Sequence, residues 1–253
     1  MLNPRIHSAG LSDADLETLQ IFGVEKVITV ADSTAHPATP EGLFAHFDWL
    51  VGPERTRLVR AGLKVGVAIG IHPRVVPRRG LGQVLDALPR YLQLPSVVAV
   101  GQLGLRACSE PEIEALLAQL AAANQFNKPA LVSCPAEDTE RITKRTLAVL
   151  QESELPPERI LVDGAIGKTV RGIRELGFFA GLTVHPEHLT VEKAVTLVRQ
   201  LGPERLVLGD AAGLGASDLV ALGRAAHRLA KAGLSARVIR RVTHDNAASL
   251  FRL

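Results

Sequence analysis

Short apolar runs recur along the chain at residues 2–8, 26–31, 64–71, 96–103, 130–134, 160–162, 179–184 and 206–209. Several are continuous rather than alternating, as in Val97-Val98-Ala99-Val100, which is the pattern of parallel strands covered on both faces. The stretches between them carry helical period and helix start signals. Ser12 precedes Asp13 and Asp15, and Ser109 stands three residues before Glu112, both N-cap arrangements that satisfy free backbone N–H groups. After Ser109, residues Ile113, Leu116, Leu117 and Leu120 fall on one helical stripe directed at a sheet. Thr190 opens another helix, and Gly177, Gly202 and Gly233 close three more.

Eight strand–helix repeats predict either a closed (β/α)₈ TIM barrel or an open doubly wound sheet, since right-handed crossovers permit both. No GxGxxG follows the first strand and no Walker loop occurs, so the nucleotide-binding open sheets lose support. The 253 residues suit one barrel domain spanning 1–253, with no linker to divide it. Aromatics are only 4% of the chain, so Ala, Leu and Val must fill the core.

The net charge of +3 is small. The pairs Arg78-Arg79 and Arg240-Arg241 do not extend into basic blocks, so nucleic acid is not an expected partner. Cys108 and Cys134 lack CxxC spacing and do not suggest an oxidising compartment. No run approaches membrane-spanning length, and a cytoplasmic location is the default expectation.

Barrel chemistry gathers at the C-terminal ends of the strands. These ends read Arg5-Ile6-His7, Gly70-Ile71-His72-Pro73, Gly101-Gln102-Leu103-Gly104-Leu105, Leu131-Val132-Ser133-Cys134-Pro135, Val162-Asp163-Gly164, Thr183-Val184-His185-Pro186 and Leu208-Gly209-Asp210-Ala211. In order and spacing, from Asn3-Pro4-Arg5-Ile6-His7 to Asn246-Ala247-Ala248-Ser249-Leu250-Phe251, the chain resembles the TatD family of metal-dependent hydrolases, within the amidohydrolase-type barrels, and most closely its TatD-related branch.

That resemblance implies a two-ion centre, and the chain departs from the family's ligand pattern. A His-x-His pair on strand one would chelate an ion, because residues two apart point the same way. Here Arg5 replaces the first member and only His7 remains. A guanidinium has no lone pair for a metal and repels a dication. Gln102 stands where a bridging glutamate belongs, and Ser133 and Gly164 align with the histidines of strands five and six. Asp210 alone survives beside His7. The expectation is that Arg5 takes the place of an ion and pairs with Asp210.

The expected cofactor is therefore none, or one divalent ion (zinc, manganese or iron) on His7 and Asp210, with His72 and His185 as further candidate ligands. Arg5, His7, His72, Gln102, Ser133 and His185 are candidate ligand-binding residues, and Asp210 is the candidate catalytic residue. His7 and Asp210 read more readily as structural relics than as working groups, and His72 reads equally as a hydrogen-bonding loop residue. His188 is expected to face solvent, and His36, His46, His227 and His244 to be surface or capping residues. Ser133 or Cys134 as a nucleophile would need an adjacent base, and no nucleophile-elbow motif surrounds either. Two functions follow as expectations. One is a non-catalytic or weakly catalytic barrel binding a small anion or a protein partner of unknown identity. The other is a metal-dependent phosphoesterase or nuclease with a rebuilt single-metal site.

Overall fold

The computed structural model of the chain describes residues 1–31 and 37–253. Among them eight strands pair in parallel and in sequence order: β1 (Leu2–Ile6), β2 (Lys26–Val30), β3 (Lys64–Ile69), β4 (Val97–Gly104), β5 (Ala130–Ser133), β6 (Ile160–Asp163), β7 (Phe179–Thr183) and β8 (Leu206–Gly209). The helices are α1 (Asp13–Ile21), α2 (Pro40–Trp49), α3 (Arg55–Arg60), α4 (Leu81–Leu92), α5 (Glu110–Gln125), α6 (Thr139–Glu152), α7 (Val170–Glu175), α8 (Val191–Leu201), α9 (Ala221–Lys231), α10 (Ala236–Arg240) and α11 (Asn246–Phe251). This is the (β/α)₈ barrel expected from the repeating pattern, each strand boundary lying within two residues of its apolar run.

Two apolar layers follow from strand alternation. Outward residues such as Val132, Val162 and Leu208 share one cluster with buried helix residues such as Leu16, Leu120 and Val149. Inward residues Leu2, Ile28, Ala68, Ala99, Leu131, Leu161 and Val207 form a second cluster, closed from below by Ala247, Leu250 and Phe251 of α11. Burying one Leu, Ile or Val side chain contributes roughly 1.5–3 kcal/mol, so these layers supply the dominant stabilisation.

The local signals act as their chemistry requires in most places. Ser12 and Asp15 form a reciprocal capping box, and the Thr190 hydroxyl accepts from the Lys193 amide at 3.3 Å. Ser109 has N-cap backbone geometry but no side-chain cap bond. Glu112 instead turns back to accept from the Arg106 and Ala107 amides. The buried stripe of α5 is also rotated from the expected one: Ile113 and Leu117 are half-buried, whereas Gln119 is buried. Its Oε1 accepts from the Ile71 amide at 2.6 Å, which satisfies a strand-end donor that hydrophobic periodicity does not register.

Two irregularities aim the mouth residues. On β1, Leu2 belongs to the inner cluster and Arg5, three residues later, lines the mouth. Simple alternation forbids both, and the register shift between Asn3 and Ile6 allows it. On β4, Ala99 and Gln102 have the same relation, across the shift between Gly101 and Leu103. The first and last strands are joined by the His7 amide donating to the Ala212 carbonyl at 2.8 Å and by the Asn3 side-chain amide donating to Asp210.

Candidate functional site

A cavity of about 350 Å³ opens at the C-terminal ends of the strands. Arg5, His7, His72, Gln102, Ser133 and His185, all expected there, line it, and so does Cys134. Asp210 is fully buried and is not among the lining residues.

Arg5 organises the base of this mouth cavity. Its Nε lies 2.9 Å from Asp163 Oδ2, its Nη1 donates to Ser133 Oγ at 3.1 Å and its Nη2 donates to Thr183 Oγ1 at 3.3 Å. The Thr183 hydroxyl donates to Asp163 Oδ1 at 2.7 Å, and Gln102 Nε2 donates to Ser133 Oγ at 2.6 Å. Asp163, Ser133 and Thr183 come from the ends of neighbouring strands, with Ser133 and Asp163 in direct register. All five side chains are buried.

The partner of Arg5 corrects the sequence reading, which paired it with Asp210. Asp210 instead accepts from the Asn3 amide and from the backbone N–H of Ala212 at 3.0 Å, at the seam of β1 and β8. Burial pushes its carboxyl up to about 6, the Asn3, Ala212 and Leu222 amides opposing the shift, and its Oδ2 is buried without a well-aligned hydrogen-bond donor. Nor is Gly164 the strand-six residue that carries a side chain to the mouth: Asp163, one residue earlier, reaches Arg5. Gly181 on β7 makes room for it, since a Cβ there would stand 2.3 Å from Asp163 Oδ1. Leu161 and Leu131 face inward, so Asp163 and Ser133, two residues on, do too; that alternation was the available signal for Asp163.

The histidines separate clearly. His185 is buried; its Nδ1 accepts from the Glu187 amide at 3.2 Å, so its Nε2 carries the proton and donates to the Leu214 carbonyl at 3.1 Å. Both ring nitrogens are thereby committed. His72 Nδ1 accepts from the Arg74 amide at 3.1 Å and caps the short turn Pro73–Val75. His7 is buried in the cavity wall. His188 does not face solvent as expected: it lines the cavity with Nε2 at 2.9 Å from the Gly164 carbonyl, and burial lowers its pKa. His46 is likewise no surface residue, being buried and stacked on Trp49. His227 is exposed and His244 contacts Asp245, whereas His36 lies outside the described residues.

Nucleophilic chemistry finds little support in these contacts. Ser133 Oγ receives bonds from Arg5 and Gln102, both donors rather than bases. Burial pushes the Cys134 thiol up to about 11, away from the reactive thiolate. Metal fit is also poor. Among the described residues no group of three or more His, Cys, Asp or Glu side chains could hold a metal ion. Arg5 brings a fixed cation and no lone pair into the mouth. These residues do not fit a two-ion centre. The cavity can instead present N–H and O–H donors, with Arg74 and Arg106 at its rim alongside Glu137 and Glu187.

Comparison with known proteins places this geometry. The chain is 29% identical over its whole length to an uncharacterised metal-dependent hydrolase of Methanocaldococcus jannaschii, which it also covers completely. It superposes on the crystal structure of a TatD-like protein from Archaeoglobus fulgidus with a TM-score of 0.85 at 26% identity, covering 100% of both chains. The Escherichia coli phosphotriesterase homology protein, complexed with phosphate in its active site, shares the fold at a TM-score of 0.74 and 14% identity, over 99% of this chain and 98% of that one. Among the described residues no helix is long and apolar enough to cross a membrane. The model of the TatD-related DNases matches residues 7–209, and the chain belongs to that family of TatD-like metal-dependent hydrolases.

Proposed function

We propose that this barrel binds a small anion of the phosphate or carboxylate class in its mouth, and that it hydrolyses weakly or not at all. The observation that carries the reading is the Arg5 guanidinium, fixed among Asp163, Ser133 and Thr183 at the base of the mouth cavity. Two of its five N–H donors are hydrogen-bonded, to Ser133 and Thr183, and its Nε faces Asp163 as an ion pair without an aligned hydrogen bond, so donor capacity remains for a ligand. Asp163 offsets the Arg5 charge, and an entering oxyanion gains a rigid, planar fork at little ordering cost. Gln102 is neutral where a carboxylate would repel the anion, and its Nε2 donates to Ser133 Oγ.

The test is thermal unfolding with inorganic phosphate. A ligand at one hundred times its Kd stabilises the native state by about 2.7 kcal/mol. The double variant Arg5→Gln with Asp163→Asn keeps a neutral polar pair, and in it the phosphate-dependent shift from the mouth should vanish. An undiminished shift defeats the reading.

A second reading, a hydrolase with one rebuilt metal site, draws on family membership and on Asp210, whose Oδ2 is buried without a well-aligned donor. Cleavage of a generic phosphodiester that needs added manganese and is abolished by Asp210→Ala would establish it instead.

A further inference from the structure

We propose that the opposite, N-terminal face of the barrel carries a second site, which binds a small multivalent oxyanion of the phosphate class. A cavity of about 280 Å³ lies there, lined by Arg159, Arg205, Arg252, Phe179, Leu250 and Glu158 among others. A water occupies only about 30 Å³, so the space accommodates a polyatomic ion.

The topology assembles the charge. Lys128 precedes β5, Arg159 immediately precedes β6, Arg205 immediately precedes β8, and Arg252 follows α11. In a parallel barrel all strand starts meet on one face, so cations distant in sequence converge.

Their partners are neutral. Lys128 Nζ donates to the Val97 carbonyl at 2.6 Å, and Arg159 Nη2 donates to the carbonyls of Lys128 at 2.8 Å and Ala123 at 3.3 Å. Arg252 Nη2 donates to the Asn127 side-chain oxygen at 3.4 Å. Arg205 packs over the Phe179 ring, 5.9 Å from its centre, and its Nη1 is buried without a hydrogen-bond acceptor. Among the described residues none of these four cations makes an ion pair.

Electrostatics point the same way. Burial first, and then the neighbouring Arg252, depress the pKa values of both Lys128 and Arg159. Glu158 is the single acidic residue in the cavity lining. A buried guanidinium donor without an acceptor, beside like charges, is satisfied by an anion that accepts several N–H bonds at once.

Isothermal titration with pyrophosphate tests this site separately from the mouth. The floor variant Arg205→Gln with Arg252→Gln should lose about tenfold or more in affinity, the scale of one or two charge-assisted hydrogen bonds. The mouth variant Arg5→Gln with Asp163→Asn should retain floor binding. Arg252→Gln alone, at an exposed position, serves if the double floor variant does not fold. The deciding comparison is made in the mouth-variant background, where only the second site remains: affinity that stays unchanged when Arg205→Gln and Arg252→Gln are added to Arg5→Gln with Asp163→Asn overturns the proposal. So does a heat signal that sodium chloride at equal ionic strength reproduces, since that is screening and not a site.

Discussion

The two ends of this barrel handle positive charge in opposite ways. At the mouth Arg5 is buried and answered by a carboxylate, two hydroxyls and rigid strand ends. At the floor, Lys128, Arg159 and Arg252 are answered only by carbonyl and amide oxygens. Water explains the difference. An enclosed guanidinium without a counter-charge loses its hydration and is expensive to keep, whereas partly exposed cations are screened. The mouth is thus charge-compensated before any ligand arrives, and the floor is not.

The largest expected effect breaks the compensation at the mouth. Asp163→Ala strands Arg5 as an unpaired buried cation and should destabilise the fold by about 3–5 kcal/mol, read by urea unfolding. Arg252→Gln at the floor should stay within about 0.5 kcal/mol of wild type. Equal losses at both ends would remove the contrast.

Next in size is a pH effect at the β1–β8 seam. Asp210 ordinarily titrates at 3.8 and in the fold at about 6, so between these values the native state holds a proton that the unfolded chain has released. Its contribution therefore falls as pH rises through that window, by up to about 3 kcal/mol. Asp210→Asn should flatten that limb of the stability–pH curve, and an unchanged limb would show the carboxylate to be ionised throughout.

The cysteines give a smaller, kinetic contrast. Cys134 in the mouth wall is buried with its thiol pushed up to about 11, whereas Cys108 is half-buried. At pH 8 a thiol reagent should modify Cys108 first and reach Cys134 only as fast as the protein opens. Simultaneous labelling of both would show that the mouth admits solvent freely.

The smallest effect is salt-dependent. Raising sodium chloride should stabilise wild type over the floor variant by a few tenths of a kcal/mol, because screening relieves repulsion that the variant lacks.

Much of this molecule was legible in the chain. All eight strands fall within or beside the apolar runs, because strands covered on both faces must be apolar wherever they pass through a core. Arg5, His7, His72, Gln102, Ser133 and His185 lie at strand ends, which a parallel barrel necessarily brings to one mouth. The partnerships were not legible. Asp163 and Asp210 are both carboxylates at strand ends, and the shifts of register on β1 and β4 help to set where Arg5 and Gln102 point. The position of His188 is not legible in the sequence, because loop residues have no period to reveal that they fold back over the cavity.

The sequence by itself determined the number of strands, their covering on both faces and the chemical types at the mouth, since periodicity and strand-end position are local properties. Tertiary structure alone decided which carboxylate answers Arg5, that Asp210 is tied to Asn3 at the seam, and that four separated cations share the opposite face. Those outcomes depend on distances between residues far apart along the chain, and a one-dimensional pattern of polarity does not encode them.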